Sequence, residues 1–276
     1  MITTAELHRA ASREGLRFDQ AEKDYVILLI LSALVRTLSE SAQWVFKGGT
    51  CLRHCYYAGF RFSEDIDFSC RSGKDNAPAS ASVLIRTAQL VQNESGLEMA
   101  VSDAQQSAGQ EQLEIAVHYS RGGLRRQGLP AVRVHLTFDE PVLVPPPLRR
   151  VQPPYTEPSP FPIASYSIIE IVAEKMRALI QQQDKWPRPR DLYDLWFILC
   201  HKAERLPAAE LQDLFARKCA VKNITPDLRL LISDALKEWN RRAWKNQLAP
   251  MMKNAPEYET VWNEWVHTCR GLMFAS

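Results

Sequence analysis

Two aspartates separated by one residue, Asp65 and Asp67, have the clearest capacity for chemistry in this sequence. The alternation of polar and apolar residues from Asp65 to Phe68 predicts a β-strand, in which residues i and i+2 point to the same face. The two carboxylates therefore converge, while Ile66 and Phe68 point into a core. A divalent cation would relieve the repulsion between the carboxylates. A solvated strand face without a ligand explains the same spacing.

A lysine, two glycines and a threonine precede this strand, at residues 47–50. The apolar run 44–46 predicts a short strand, which the glycines end where a new helix begins. Backbone N–H groups at a helix N-terminus accept phosphate oxygens, glycine permits close approach, and Lys47 would add a positive charge. Taken alone, an ordinary strand–turn–helix junction explains the pattern as well. Combined with the aspartates, it predicts a phosphate site and a metal site at one end of a sheet.

Further charged residues lie on two predicted helices in the C-terminal half. Glu170 and Glu174 are four residues apart on the first helix, and their repulsion requires cations, for which Lys175 and Arg177 are candidates. A surface ion-pair network of this kind is the alternative to a functional role.

On the second of these helices, Asp191 and Asp194 share a face. Pro189 marks the start of the helix, and the helix dipole accounts for Asp191 in its first turn. It does not account as easily for Asp194, which is therefore a candidate functional residue.

The elements that must position these residues divide the chain into two halves. Helices and strands alternate in the first half, and the second half has helical periodicity nearly to its end. Nine prolines between Pro141 and Pro162 permit neither a helix nor a central strand. We predict three segments: N-terminal helices with an α/β core (1–145), an extended linker (146–165) and a helical subdomain that contributes to the active site (166–276).

Composition narrows the class of protein. The 276 residues are 46% hydrophobic and 24% charged, which is typical of a globular protein. No apolar stretch has the length of a membrane span, and no signal peptide is apparent, so we expect a cytoplasmic protein without a membrane partner. Its six cysteines lack a framework spacing and are expected to be reduced. A net charge of +2 excludes nucleic-acid binding by bulk charge alone.

The stretch FKGGTCLRHCYYAGFRFSEDIDFS resembles the nucleotidyltransferase core of the AbiEii family of abortive-infection toxins. A second block, at residues 168–179 and 190–195, resembles the Glu-x-x-x-Glu-Lys and Arg-Asp-x-x-Asp-Leu motifs of the same family. The resemblance covers roughly residues 40–200. It implies an α+β fold with a polymerase-β-like core, a mixed sheet flanked by helices, followed by an all-helical C-terminal subdomain.

The resemblance also implies an activity, which is Mg²⁺- or Mn²⁺-dependent transfer of a nucleoside monophosphate (NMP) from a nucleoside triphosphate (NTP), with release of pyrophosphate. The implied acceptor is RNA, most simply tRNA, and the implied protein partner is a cognate antitoxin. The expected catalytic residues are Asp65, Asp67, Lys175 and Asp194, the first two being the metal ligands. The expected nucleotide-binding residues are Lys47, Gly48, Gly49, Thr50, Arg190 and Asp191.

One departure from the family pattern concerns a third carboxylate, which polymerase-β-like enzymes commonly carry on a later strand. In this sequence His135 occupies the matching position, and the nearby acidic residues Glu114, Asp139 and Glu140 are not in the same register. Two alternatives therefore stay open: a nucleotide-binding interaction protein that has lost catalysis, and a metal-dependent phosphodiesterase.

Two basic segments are candidates for contact with an RNA backbone. The first is a predicted hairpin tip with three arginines, and the second is the turn Lys185–Arg190 beside the Asp191 helix. Solvated surface charge explains both equally well. The hairpin arginines are Arg121, Arg125 and Arg126.

Overall fold

The computed structural model of the chain describes residues 1–38, 43–71, 77–102, 104–106, 111–122, 128–182, 185–202 and 206–274. The chain forms two compact units, Met1–Tyr166 and Ser167–Ser276. The first unit combines helices with a mixed sheet, and the second unit is helical. This arrangement agrees with the predicted α+β fold.

Helices pack on the sheet of unit 1. Helix α2 (Phe18–Thr37) is apolar on nearly all sides, and Tyr25, Leu28 and Leu31 are fully buried in it. A Thr3 hydroxyl caps helix α1 by accepting from the Glu6 N–H at 3.1 Å. The helices of unit 1 are α1 (Thr4–Glu14), α2, α3 (Gly48–Cys51), which continues into a π-helical turn (Leu52–Tyr56), and α4 (Ala77–Ser95).

The sheet of unit 1 is mixed, and its central strands position the two aspartates. Its strand order is β1-β2-β6-β5-β3, and β4 also pairs with β5. Strand β2 pairs antiparallel with β1 and parallel with β6, so β2 is an interior strand. The strands are β1 (Trp44–Lys47), β2 (Asp65–Cys70), β3 (Glu98–Val101), β4 (Gln105–Gln106), β5 (Gln112–Ser120) and β6 (Ala131–Thr137).

The proline-rich segment differs from the extended linker that we predicted for 146–165, because it is part of unit 1. It contains an antiparallel pair of short strands, β7 (Leu148–Val151) and β8 (Phe161–Ala164). Between these strands, the buried Tyr155 donates a hydrogen bond to Asp24 of α2 at 3.0 Å. Side chains between the prolines thus anchor a segment whose prolines exclude it from a central sheet.

Unit 2 is built from five helices within the described residues, and a buried ion pair joins two of them. Lys218 Nζ lies 2.8 Å from Glu170 Oε1 and 3.6 Å from Glu174 Oε2. Lys218 is therefore a cation that balances the two glutamates, and no local spacing in the sequence singled it out. The helices are α5 (Ile168–Gln182), α6 (Pro189–His201), α7 (Ala208–Val221), α8 (Asp234–Leu248) and α9 (Tyr258–Phe274).

A helix that crosses a lipid bilayer needs about 20 consecutive, predominantly apolar residues. Within the part of the chain that the structure describes, no helix has the length and apolar character needed to cross one. The long helix α2 is instead a core helix of unit 1, in contact with α1 and α4.

Candidate functional site

Strand β2 presents Asp65 and Asp67 on one face of the sheet, as the period-2 pattern predicts. Both residues are half-buried, whereas Ile66 and Phe68 on the opposite face are fully buried. Burial and the neighbouring Asp67 charge raise the pKa of Asp65. The two carboxylates therefore repel each other in a partly desolvated position, where an added cation would be stabilised.

The glycines before this strand are required by close contacts. Gly48 has φ +79°, and a Cβ atom built there would overlap the Asp67 carboxylate. A Cβ atom on Gly49 would lie 2.8 Å from Arg61 Nη2 and 2.9 Å from Ser63 Oγ. Larger residues at either position would displace the side chains on which the site depends. Arg61, which is 5% exposed, is a cation beside this turn that the sequence analysis did not single out.

Two residues of the predicted phosphate site are already engaged within unit 1. The buried Thr50 hydroxyl donates to the Asp65 carbonyl oxygen, so its side chain fixes the start of β2. Lys47 is 6% exposed, and its Nζ lies 2.5 Å from Glu140 Oε2 in a buried ion pair. Glu140 balances the Lys47 charge in this pair, and the assignment of Lys47 to the phosphates stays a prediction.

His135 lies next to Asp67, at the position where the family pattern predicts a third carboxylate. The pairing of β2 with β6 places His135 beside Asp67, and the pairing of β5 with β6 places Glu114 opposite His135. His135 Nδ1 lies 3.1 Å from Asp67 Oδ1, and its Nε2 lies 3.1 Å from Glu114 Oε2. The hydrogen bond to Asp67, with smaller contributions from nearby carboxylates, raises the pKa of His135 to about 9. At neutral pH, a protonated imidazole therefore bridges two carboxylates.

Unit 2 contains a second charged cluster, at Lys175. Its Nζ lies 2.5 Å from Asp191 Oδ1 and 2.9 Å from Asp194 Oδ2, and all three residues are buried. Burial alone would raise the pKa of Asp191, but Arg188 and Lys175 hold it well below its usual range. The pairing accounts for Asp194, which the helix dipole left unexplained.

The remaining predicted residues have different surroundings. Arg190 is half-buried on α6, and among the described residues it has no carboxylate within ion-pair distance. Arg121 does not lie free at a hairpin tip, because its Nη2 donates to the Ile2 carbonyl at 2.6 Å. Arg125 and Arg126 lie outside the described residues.

Comparisons with known proteins give the family. A sequence model described as "Nucleotidyl transferase AbiEii toxin, Type IV TA system" matches residues 30–265, which is most of the chain. The chain belongs to the AbiEii family. It is therefore a nucleotidyltransferase toxin of a type IV toxin–antitoxin system, which implies an NTP substrate and an antitoxin partner. This confirms the family resemblance proposed from the sequence.

Solved structures agree with the fold expected of an AbiEii member. MenT4, a nucleotidyltransferase toxin from Mycobacterium tuberculosis H37Rv, superposes with a TM-score of 0.70 at 18% identity, covering 98% of this chain and 90% of MenT4. JHP933 from Helicobacter pylori superposes with a TM-score of 0.53 at 17% identity, covering 88% of each chain. At these identities, the likeness concerns the fold alone. A comparison with curated protein sequences gives no match.

Proposed function

We propose that this AbiEii protein transfers an NMP from an NTP to an RNA acceptor and releases pyrophosphate. The observation that carries the proposal is the pair Asp65 and Asp67 on one face of β2, with Gly48 closely packed against Asp67. A metal ion held there would neutralise charge on the triphosphate during in-line displacement at the α-phosphorus. The chain's own contribution is to position the phosphates for the reaction.

The donor set at this position fits Mg²⁺ or Mn²⁺. Protein sites for Mg²⁺ commonly supply one or two carboxylates and leave the other positions to phosphate oxygens and water. Within the described residues, no group of three or more His, Cys, Asp or Glu side chains could hold a metal ion. Asp65 and Asp67 therefore support a metal ion that binds together with the nucleotide rather than in a closed protein cage.

We further propose that Lys175 contacts the triphosphate, while Asp191 and Asp194 act as positioning residues for its ammonium group. Two buried carboxylates at 2.5 and 2.9 Å hold this ammonium in place. Arg190, at the start of α6, is proposed as a second cation for the nucleotide. Lys175 suits the contact with the triphosphate because its ammonium group is a compact point charge for phosphate oxygens.

Replacement of Lys175 by alanine is expected to weaken NTP binding at least about tenfold and to slow transfer, because a charge-assisted contact is lost. Isothermal titration calorimetry with a non-hydrolysable NTP and Mg²⁺ measures the affinity. Lys245→Ala removes an exposed lysine from the same unit and serves as the control. A Lys175→Ala protein with lower thermal stability but unchanged NTP affinity would contradict the proposal and leave Lys175 a structural role.

The turn before α6 supports RNA as the acceptor. Trp186 is 71% exposed and follows the exposed Lys185. The turn is also fixed, because the Trp186 N–H donates to the Gln182 carbonyl at 3.0 Å and the Arg188 N–H donates to Asn240 Oδ1 at 3.0 Å. An exposed aromatic ring on a fixed backbone, next to a cation, is a typical stacking platform for an unpaired base. The two residues that carry this argument are Lys185 and Trp186.

Replacement of Trp186 by alanine is expected to weaken RNA binding on the order of tenfold, since stacking contributes about 1–3 kcal/mol per base. Lys185→Ala is expected to reduce the slope of log K against log salt by about 0.7, the contribution of one phosphate on a single strand. Fluorescence anisotropy with labelled tRNA across a salt series measures both effects. Trp239→Ala, at another exposed tryptophan, is the control. If Trp186→Ala and Trp239→Ala bind RNA equally well, the turn is not the RNA contact.

The overall test is incubation of the protein with labelled NTPs, Mg²⁺ and total RNA. Label transferred to RNA supports the proposal. We further propose that the reaction takes place in the cytoplasm and that the antitoxin inhibits it. Label on protein would exclude RNA as the acceptor. Shortened RNA would indicate a phosphodiesterase. Binding without transfer would support a protein that has lost catalysis, which the histidine at position 135 makes a specific alternative.

A further inference from the structure

A cavity of about 850 Å³ lies in unit 1 and includes none of the residues assigned to the nucleotidyltransferase reaction. Its walls are formed by one side of helix α1, the turn 53–59 and the proline-rich residues 150 and 152–156. Sites for small molecules commonly have volumes of about 300–1,000 Å³. The cavity therefore has the size of a small-molecule site.

Hydrogen bonds that join helices α1 and α2 to the proline-rich segment fix the shape of the cavity. Glu6 Oε1 accepts from the Thr156 N–H at 3.0 Å and from the Thr156 hydroxyl at 2.7 Å. Arg13 donates to the Pro154 carbonyl oxygen, and Tyr155 donates to the Ala21 carbonyl at 2.9 Å. A ligand would enter a preformed site and would not have to order its walls.

The carboxylates in and beneath this cavity are engaged by neighbouring groups. Asp24 is fully buried, and it is bound by Arg53 Nε at 3.2 Å, His54 Nε2 at 3.0 Å and the Tyr155 hydroxyl at 3.0 Å. Glu14 lies 3.4 Å from Arg53 Nη2. Glu6, the other glutamate in the lining, is bound to Thr156 as described above.

Two lining arginines remain, Arg9 on α1 and Arg150 on β7. Both are exposed, and neither has a carboxylate within ion-pair distance among the residues that the structure describes. The Arg9 charge attracts Glu6 without forming an ion pair with it, and Glu6 and Glu14 have nearer partners, so the two guanidinium groups are available to an anion that enters between the two walls. The rings of Tyr56 and Tyr57 line the same cavity and supply aromatic surface, with the Arg149 guanidinium over the Tyr56 ring at 4.5 Å from its centroid.

We propose that this cavity binds a nucleotide, with its phosphate groups between Arg9 and Arg150 and its base against the tyrosine rings. Guanidinium groups bind phosphate oxygens in a bidentate manner, and an aromatic side chain stacks on a nucleobase. The site is separate from the Asp65 and Asp67 pair. Its existence does not depend on the proposed transfer reaction.

Calorimetric titration of the full chain with ATP tests this proposal, with EDTA present to remove metal-dependent binding. We expect saturable 1:1 binding of ATP, no detectable binding of adenosine, and a loss of at least about tenfold in ATP affinity in the Arg9→Ala/Arg150→Ala double variant. Binding at the reaction site would not depend on these two arginines. The Arg86→Ala/Arg270→Ala double variant removes two other exposed arginines and is expected to bind ATP as the wild type does.

Three results would overturn the proposal. The first is the absence of saturable ATP binding in the wild type. The second is an equal loss of affinity in both double variants, which would indicate a general charge effect. The third is binding of pyrophosphate as tightly as ATP, which would show that the base contributes nothing and that the cavity takes simple polyanions. Circular dichroism of each variant confirms that the fold is retained.

Discussion

Replacement of Asp65 by asparagine is expected to lower the rate of NMP transfer at least about a thousandfold, because a carboxylate that holds the metal ion is lost. The substitution keeps the shape of the side chain and removes the charge. Transfer of label from an NTP to RNA measures the rate. Asp67→Asn is expected to have a similar effect, but it also alters the contact with His135. Asp65→Asn is therefore the cleaner test.

The control for this experiment is Glu98→Gln. Glu98 is an exposed carboxylate on β3 of the same sheet, so its replacement changes the net charge equally. We expect normal transfer by this variant. The metal assignment fails if Asp65→Asn retains more than about a tenth of the wild-type rate with an unchanged circular dichroism spectrum.

Replacement of Lys218 by methionine is expected to lower the free energy of unfolding by about 3–5 kcal/mol, because it removes a buried ammonium group from beside the buried Glu170 carboxylate. Lys218 is 2% exposed and Glu170 is fully buried, so water cannot replace the lost ammonium group. Urea unfolding followed by circular dichroism gives the free energy.

A second variant separates loss of the ion pair from loss of packing. In Lys218→Met/Glu170→Leu, both charges are replaced by apolar groups, and most of the lost stability is expected to return. If the double variant is no more stable than the single variant, the destabilisation comes from altered packing and not from loss of the Lys218–Glu170 ion pair.

The local pattern of the sequence was sufficient to predict those features that depend on residues close together along the chain. The period of two residues in a strand placed Asp65 and Asp67 on one face. Helical periodicity identified the second half of the chain as helical, and α5 to α9 lie there. The start of α8 also has a local signal, because the Ser233 hydroxyl caps this helix by accepting from the Leu236 N–H.

Contacts between distant residues could not be predicted in this way. Lys218 lies more than forty residues from Glu170, and no local spacing links them. Glu140, which binds Lys47, was considered only as a substitute carboxylate. Glu114 reaches His135 only through the register of β5 on β6, which a predicted hairpin of unknown turn length does not fix. The strands β3, β7 and β8 have four residues each, too few for a periodic signal.

Helix α2 and strand β1 form hydrogen bonds with residues 155 and 166, near the C-terminal end of unit 1, and this affects when unit 1 can fold during synthesis. Asp24 binds Tyr155, and the Phe46 carbonyl accepts from the Tyr166 N–H at 2.9 Å. Because synthesis proceeds from the N-terminus, Asp24 and Phe46 cannot form these hydrogen bonds until residues more than a hundred positions later have been made. The chain must be made as far as Tyr166 before the contacts of β1, the strand beside the aspartates, are complete. A truncated nascent chain is therefore expected to lack the toxin's activity.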